Sequence, residues 1–158
     1  MNDVGRSWTR RLAALHLAKR ESRSARATCH VAFCATGGLS FLTWRQGARV
    51  LTARGFGSDE DGAHFGRRVA GRMRRVDWHT QQDVRCCLET HVPRPLFLRS
   101  LALMHAWDAT SFVAGRRDGV TFLEQAAGLL GLARPPRCES PERFIQRLIQ
   151  LNTEAWAN

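Results

Sequence analysis

Ser58-Asp59-Glu60-Asp61-Gly62-Ala63-His64-Phe65-Gly66-Arg67-Arg68-Val69-Ala70-Gly71-Arg72-Met73-Arg74-Arg75-Val76 is the stretch on which the fold assignment turns. Asp59, Glu60 and Asp61 stand near its start, with Arg67, Arg68, Arg72, Arg74 and Arg75 toward its end. That order complements a helix dipole at both ends. Phe65, Val69, Met73 and Val76 recur at steps of four, four and three, the period of a buried helical stripe. Three glycines oppose a helix, since Gly62, Gly66 and Gly71 would each cost roughly 1 kcal/mol relative to Ala in its interior. The spacing and charge order predict a helix opened by Ser58. It either starts after Gly62 or packs its glycine face closely against a partner.

Working outward, Thr80 with Asp83 resembles a capping box and predicts a helix to about His91. Val84, Cys87, Leu88 and His91 would face inward, and Pro93-Arg94-Pro95 would end it. Residues 96–114 carry Phe97, Leu98, Leu101, Leu103, Met104, Trp107, Phe112 and Val113, which predict a core helix stopped by Gly115. Thr121 with Glu124 predicts a helix to Leu130, and Pro135-Pro136 a linker. Ser140-Pro141-Glu142 opens a last helix with Phe144, Ile145, Leu148 and Ile149 on one face. Upstream, Ser7 caps a helix from Trp8 to about Arg20, followed by a basic connector over 21–28. Cys29–Ala35 and Leu39–Trp44, separated by Thr36-Gly37-Gly38, fit either a β-hairpin or two short helices. The expected architecture is mainly α: a single-domain bundle of six or seven helices over 27–158, preceded by a basic arm over 1–26.

The 158 residues carry a net charge of +10, and Lys19 is the only Lys. Residues 1–58 hold ten basic and two acidic side chains, 59–93 six of each, and 94–158 eight and six. The excess therefore belongs to the N-terminal third, where it suits a polyanion, an anionic membrane surface or an acidic partner. No apolar run approaches the ~20 residues that cross a bilayer as a helix, and no secretory leader is evident. Cys29, Cys34, Cys86, Cys87 and Cys138 are an odd set and are expected as free thiols. Cys29, Cys34, Cys87 and His91 lack the paired spacing of zinc sites, so core packing is expected of them, with no metal and no cofactor. His105 with Asp108 and His79 with Asp77 are the only acid–base candidates, and neither stands in a catalytic motif. A non-catalytic protein is expected, with a small enzyme using such a pair as the third choice.

Asp61-Gly62-Ala63-His64-Phe65-Gly66-Arg67-Arg68-Val69-Ala70 resembles the first homology motif of the Bcl-2 family, D-G-x-x-W-G-R-x-V-A. Trp107-Asp108 with Phe112-Val113 looks like that family's second motif. His64-Phe65 with Val69, Val76-Asp77-Trp78-His79-Thr80, and then Leu98, Leu101, Ala102 and Trp107 resemble the adenoviral small T-antigens, viral Bcl-2-like apoptosis inhibitors. The resemblance spans roughly residues 61–113. It implies a helical bundle in the host cytoplasm, or peripheral to mitochondrial or other internal membranes. Its apolar groove would capture the amphipathic helix of a pro-apoptotic Bcl-2-family protein of the host. By match, Gly66 would admit the partner backbone and Arg67 would pair with its Asp, with Phe65, Val69 and Ala70 lining the groove and Trp107 and Phe112 supporting it.

The alternative is a nucleic-acid-binding accessory protein. Arg67, Arg68, Arg72, Arg74 and Arg75, with the basic arm, suit a phosphate backbone without reading sequence. Residues 121–152 invite a helix-turn-helix, but Gly131 to Ser140 is too long for that turn and holds two prolines, so an ordinary helical pair is expected.

Overall fold

The computed structural model describes residues 28–60, 66–138 and 140–153. Period-two alternation governs the described residues from Cys29 to Arg75. In β1 (Cys29–Ala35), Val31, Phe33 and Ala35 bury on one side and Cys34 on the other. Thr36 donates its N–H to the Leu39 carbonyl at 2.9 Å, turning the chain into β2 (Ser40–Gln46). β3 (Arg49–Ser58) and β4 (Arg68–Arg75) continue the meander, every pair antiparallel. Trp44 lies opposite Thr52 and Arg45 opposite Val50, so Leu51 is an extra residue that bulges β3.

After β4 the chain crosses to the far edge of the sheet. The connector holds a single helical turn, α1 (Trp78–Gln82), capped by Asp77, whose carboxylate accepts from the Thr80 N–H at 2.8 Å. β5 (Cys86–Val92) then pairs with β1. α2 (Arg94–Trp107) leads into the short β6 (Ser111–Val113) beside β4, completing the order β5-β1-β2-β3-β4-β6. α3 (Gly119–Leu129) and α4 (Pro141–Thr153) follow. The main core joins Val31, Phe33, Leu42, Trp44, Phe56 and Met73 of the sheet to apolar residues of α2, α3 and α4. On the opposite face, Val76 and Val84 of the crossing connector pack with Cys34, Phe41 and Ala53. Among the described residues no helix is long and apolar enough to cross a membrane.

This is not the expected mainly α bundle of six or seven helices: the described residues form a six-stranded antiparallel sheet with four helices. Where a helix is predicted from Ser58 to Val76, the described residues hold the end of β3 and all of β4. Val69 and Met73 are four apart, a spacing that keeps one face in a helix and in a strand alike. The glycines decide between them. Gly66 adopts a left-handed φ of 68°, and a Cβ on Gly71 would meet the Phe56 ring and the Thr110 carbonyl.

The helix predicted from Thr80 to His91 is α1 followed by β5. There Leu88 and Val92 share the helix-bearing side while Cys87, Glu89 and His91 share the other. The core helix predicted over 96–114 stops at Trp107, and Ser111–Val113 is a strand. It is also one-sided, burying Phe97, Ser100, Met104 and Trp107 while Leu98 is exposed. Cys29–Ala35 and Leu39–Trp44 form the hairpin alternative. The two C-terminal helices lie where predicted, although α3 is capped by Asp118, which accepts from the Thr121 N–H at 3.1 Å. The helix predicted over 8–20 and the arm over 1–26 lie outside the described residues.

Candidate nucleic-acid interface

β4 and the turn before it carry five exposed guanidinium groups, those of Arg67, Arg68, Arg72, Arg74 and Arg75. As a strand, β4 sorts them by parity. Val69 and Met73 are buried toward the helices, so Arg68, Arg72 and Arg74 project from the opposite face. Alternate residues of a strand stand ~6.6 Å apart, which sets Arg72 and Arg74 at adjacent steps with Arg68 beyond Ala70. Their neighbours across the ladder are Gly55, opposite Arg74, and Gly57, opposite Arg72. Neither glycine raises a side chain to cover the row.

Few acids neutralise these cations. Arg72 pairs with Asp59 at 3.3 Å, an exposed contact worth little. Arg74 donates to the Ser58 carbonyl. Arg67, Arg68 and Arg75 have no ion pair among the described residues. Arg75 also lies directly opposite Arg54. Like charges facing each other across a ladder are destabilising, and an anion laid between them would relieve that cost.

The proposed groove residues end up dispersed. Phe65 lies outside the described residues. Gly66 and Arg67 are exposed in the turn before β4, and Ala70 is exposed on β4 opposite Ser111. Val69 is buried opposite Phe112. Phe56 joins Phe112 to Trp107, with ring centroids 6.0 and 4.7 Å away, so these aromatics support a sheet rather than a helix-lined groove.

The acid–base candidates have structural partners. Asp77 caps α1, and the Thr80 N–H followed by its hydroxyl holds the Asp77 carboxyl below its usual range. Asp108 accepts the Met73 N–H at 2.8 Å, tying α2 to β4. His79 and His105 are exposed. Cys34 and Cys87 face each other across β1 and β5 with sulfurs 2.9 Å apart, whereas Cys29 packs in the main core on the other side of the sheet. Among the described residues no group of three or more His, Cys, Asp or Glu side chains is placed to hold a metal.

Two features escaped the sequence reading. Glu89 accepts from Arg45 Nε at 3.0 Å and lies 3.3 Å from His30 Nδ1, forming a polar cluster across β5, β1 and β2. Alternation along Cys87-Leu88-Glu89-Thr90-His91 was its signal, masked by the helical assignment. The second is Trp78, 65% exposed in the crossing connector. No periodicity could have revealed it, because exposure there depends on where the connector crosses.

The thiols offer a check of these placements. A hydrogen bond to Cys87, followed by burial, pushes the Cys34 thiol well above its ordinary range. Burial, then the charges of Glu142 and Cys87, push Cys86 up to about 11. Only the thiolate attacks a disulfide reagent, so at pH 8 native Cys86 should react on the order of a hundredfold more slowly than in denaturant. Mass-resolved labelling reads this directly. Equal rates in the two states would misplace Cys86. No family model matches the chain, and neither a curated protein nor a solved structure matches it.

Proposed function

We propose that the chain is a non-catalytic nucleic-acid-binding protein that holds a phosphate backbone along β4. One observation carries this reading: five exposed arginines are presented by nine consecutive residues, Arg67 to Arg75, and only Arg72 among them has an acidic partner among the described residues. Guanidinium groups suit phosphate oxygens, and contacts to the backbone give affinity without sequence preference. The net charge of +10 adds long-range attraction.

Capture of a pro-apoptotic helix remains the second reading. Arg67 is exposed and available to a carboxylate. Gly66 lies in a turn and Arg68–Arg75 is a strand, so among the described residues the helical walls of the implied groove are not formed, and the backbone reading leads.

A salt titration tests it. Fluorescence anisotropy with a labelled oligonucleotide should show affinity falling with a log–log slope of about −3 to −4, as expected for four or five released counterions on a single strand. Affinity indifferent to salt would refute the electrostatic reading. Tight binding of pro-death helix peptides at moderate salt, weakened by Arg67→Glu, would favour the second.

A further inference from the structure

We infer that the cleft beside Trp78 accepts an unpaired nucleobase, so that the ligand of β4 is single-stranded nucleic acid. This rests on the backbone reading above and adds the class of nucleic acid. The cleft has an accessible volume of about 510 Å³, within the range of small-molecule sites. It lies where β3 runs on past the end of β4. The Val76 N–H donates to the Ala53 carbonyl at 3.0 Å, and β4 pairs with β3 only from Arg54 onward. The bulge at Leu51 and the crossing connector bound the space between them.

Its walls suit a base. Trp78 is 65% exposed, whereas Trp44 and Trp107 are buried. Val50 and Leu51 are 44% and 41% exposed, which gathers into one cleft three of the five large exposed apolar side chains among the described residues. An indole face offers stacking to any base. Val76 and Ala53 line the same cleft and pack on the sheet face opposite the main core, the face from which Arg68, Arg72 and Arg74 project, so a strand following that row arrives at the indole. Asp77 also lines it. Its carboxylate already accepts from the Thr80 N–H and hydroxyl, both at 2.8 Å, so that charge is partly satisfied within α1.

Charge selects this occupant over a second copy of the chain. Arg49, Arg54 and Arg75 lie on or beside the cleft strands, and self-association here would oppose cations to cations on molecules of net charge +10. A single strand brings phosphates to those cations and an apolar base face to Trp78, Val50 and Leu51. A duplex keeps its bases stacked inside and gains nothing from the cleft.

The test compares three labelled ligands of one length: an oligodeoxythymidylate, the same strand built of abasic units, and a duplex. Each is titrated by anisotropy at low salt against the full chain. One stacked base is worth ~1–3 kcal/mol, so the oligodeoxythymidylate should bind roughly 5- to 150-fold more tightly than the abasic strand. Trp78→Ala should bring that ratio near one, and Trp78→Phe should restore most of it. Equal binding of thymidylate and abasic strands, or a ratio unmoved by Trp78→Ala, overturns the base site and leaves the backbone reading standing. No binding of any of the three overturns both. Concentration-dependent dimerisation in sedimentation, abolished by Trp78→Ala, would assign the cleft to a second copy and overturn the base site.

Discussion

Trp44→Ala is expected to lower the unfolding free energy by about 3–5 kcal/mol, the usual cost of removing a large buried aromatic. Trp44 is fully buried in the middle of β2, opposite Val31 of β1 and Thr52 of β3. Its indole Nε1 donates to Ser100 Oγ at 2.8 Å, and that hydroxyl donates to the Phe97 carbonyl at 2.7 Å. The ring therefore pins α2 to the centre of the sheet through a buried polar chain as well as by packing. Truncation opens a cavity between two layers and leaves Ser100 without its donor. Against a typical domain stability of ~5–15 kcal/mol the loss is large. Trp44→Phe should cost less, because it fills most of the space and loses chiefly the indole hydrogen bond. Urea unfolding followed by far-ultraviolet circular dichroism gives both values. Had the chain been a helical bundle with Trp44 on a surface turn, Trp44→Ala would fall within about 0.5 kcal/mol of the parent.

The same residue explains why the sheet was hard to read. A strand buried on one face announces itself by strict alternation, but β1 and β2 are apolar on both. Cys34 and Phe41 pack under the crossing connector, while Val31, Phe33, Leu42 and Trp44 pack under the helices. Runs buried on both sides fit a strand or a buried helix segment equally, so the hairpin could be stated only as one of two choices. In β4, Val69 and Met73 satisfied both periods, and acids before arginines mimicked a helix dipole. The glycines carried the correct signal, but their cost was small beside the apparent stripe. The C-terminal helices were legible because each carries an apolar face at helical spacing bounded by a break, even though α3 is capped by Asp118 and not by Thr121. Phe144, Ile145 and Leu148 bury as their spacing requires.

The candidate site divides along similar lines. The five arginines were recognisable as a group from sequence alone, because charge needs no fold to be counted. Which of them share a face depended on the strand. A helix would have gathered Arg68, Arg72 and Arg75, spaced i, i+4 and i+7, whereas β4 places Arg68, Arg72 and Arg74 on one face. The motif carrying the resemblance did depend on a helix, and its Gly66-Arg67 pair lies in a turn instead.

Reversing two charges in that row should have the largest effect on binding. Arg68→Glu with Arg72→Glu removes two backbone contacts and adds two repulsive groups. The affinity for a single-stranded oligonucleotide should fall on the order of a hundredfold at low salt, and the salt slope should shrink by about 2. The fold should survive. Arg68 has no ion pair among the described residues, and Arg72 gives up only its exposed contact with Asp59. A control must separate the row from net charge, because any such double change lowers the total equally. Arg143→Glu with Arg147→Glu serves, since both side chains are exposed on α4, which packs on the helix-bearing side of the sheet. That control should weaken binding by no more than about threefold, through long-range attraction alone. If both double variants lose affinity equally, the protein binds through its overall charge and β4 holds no backbone. If only the β4 variant loses it, with an unchanged urea midpoint, the strand is where the phosphates lie.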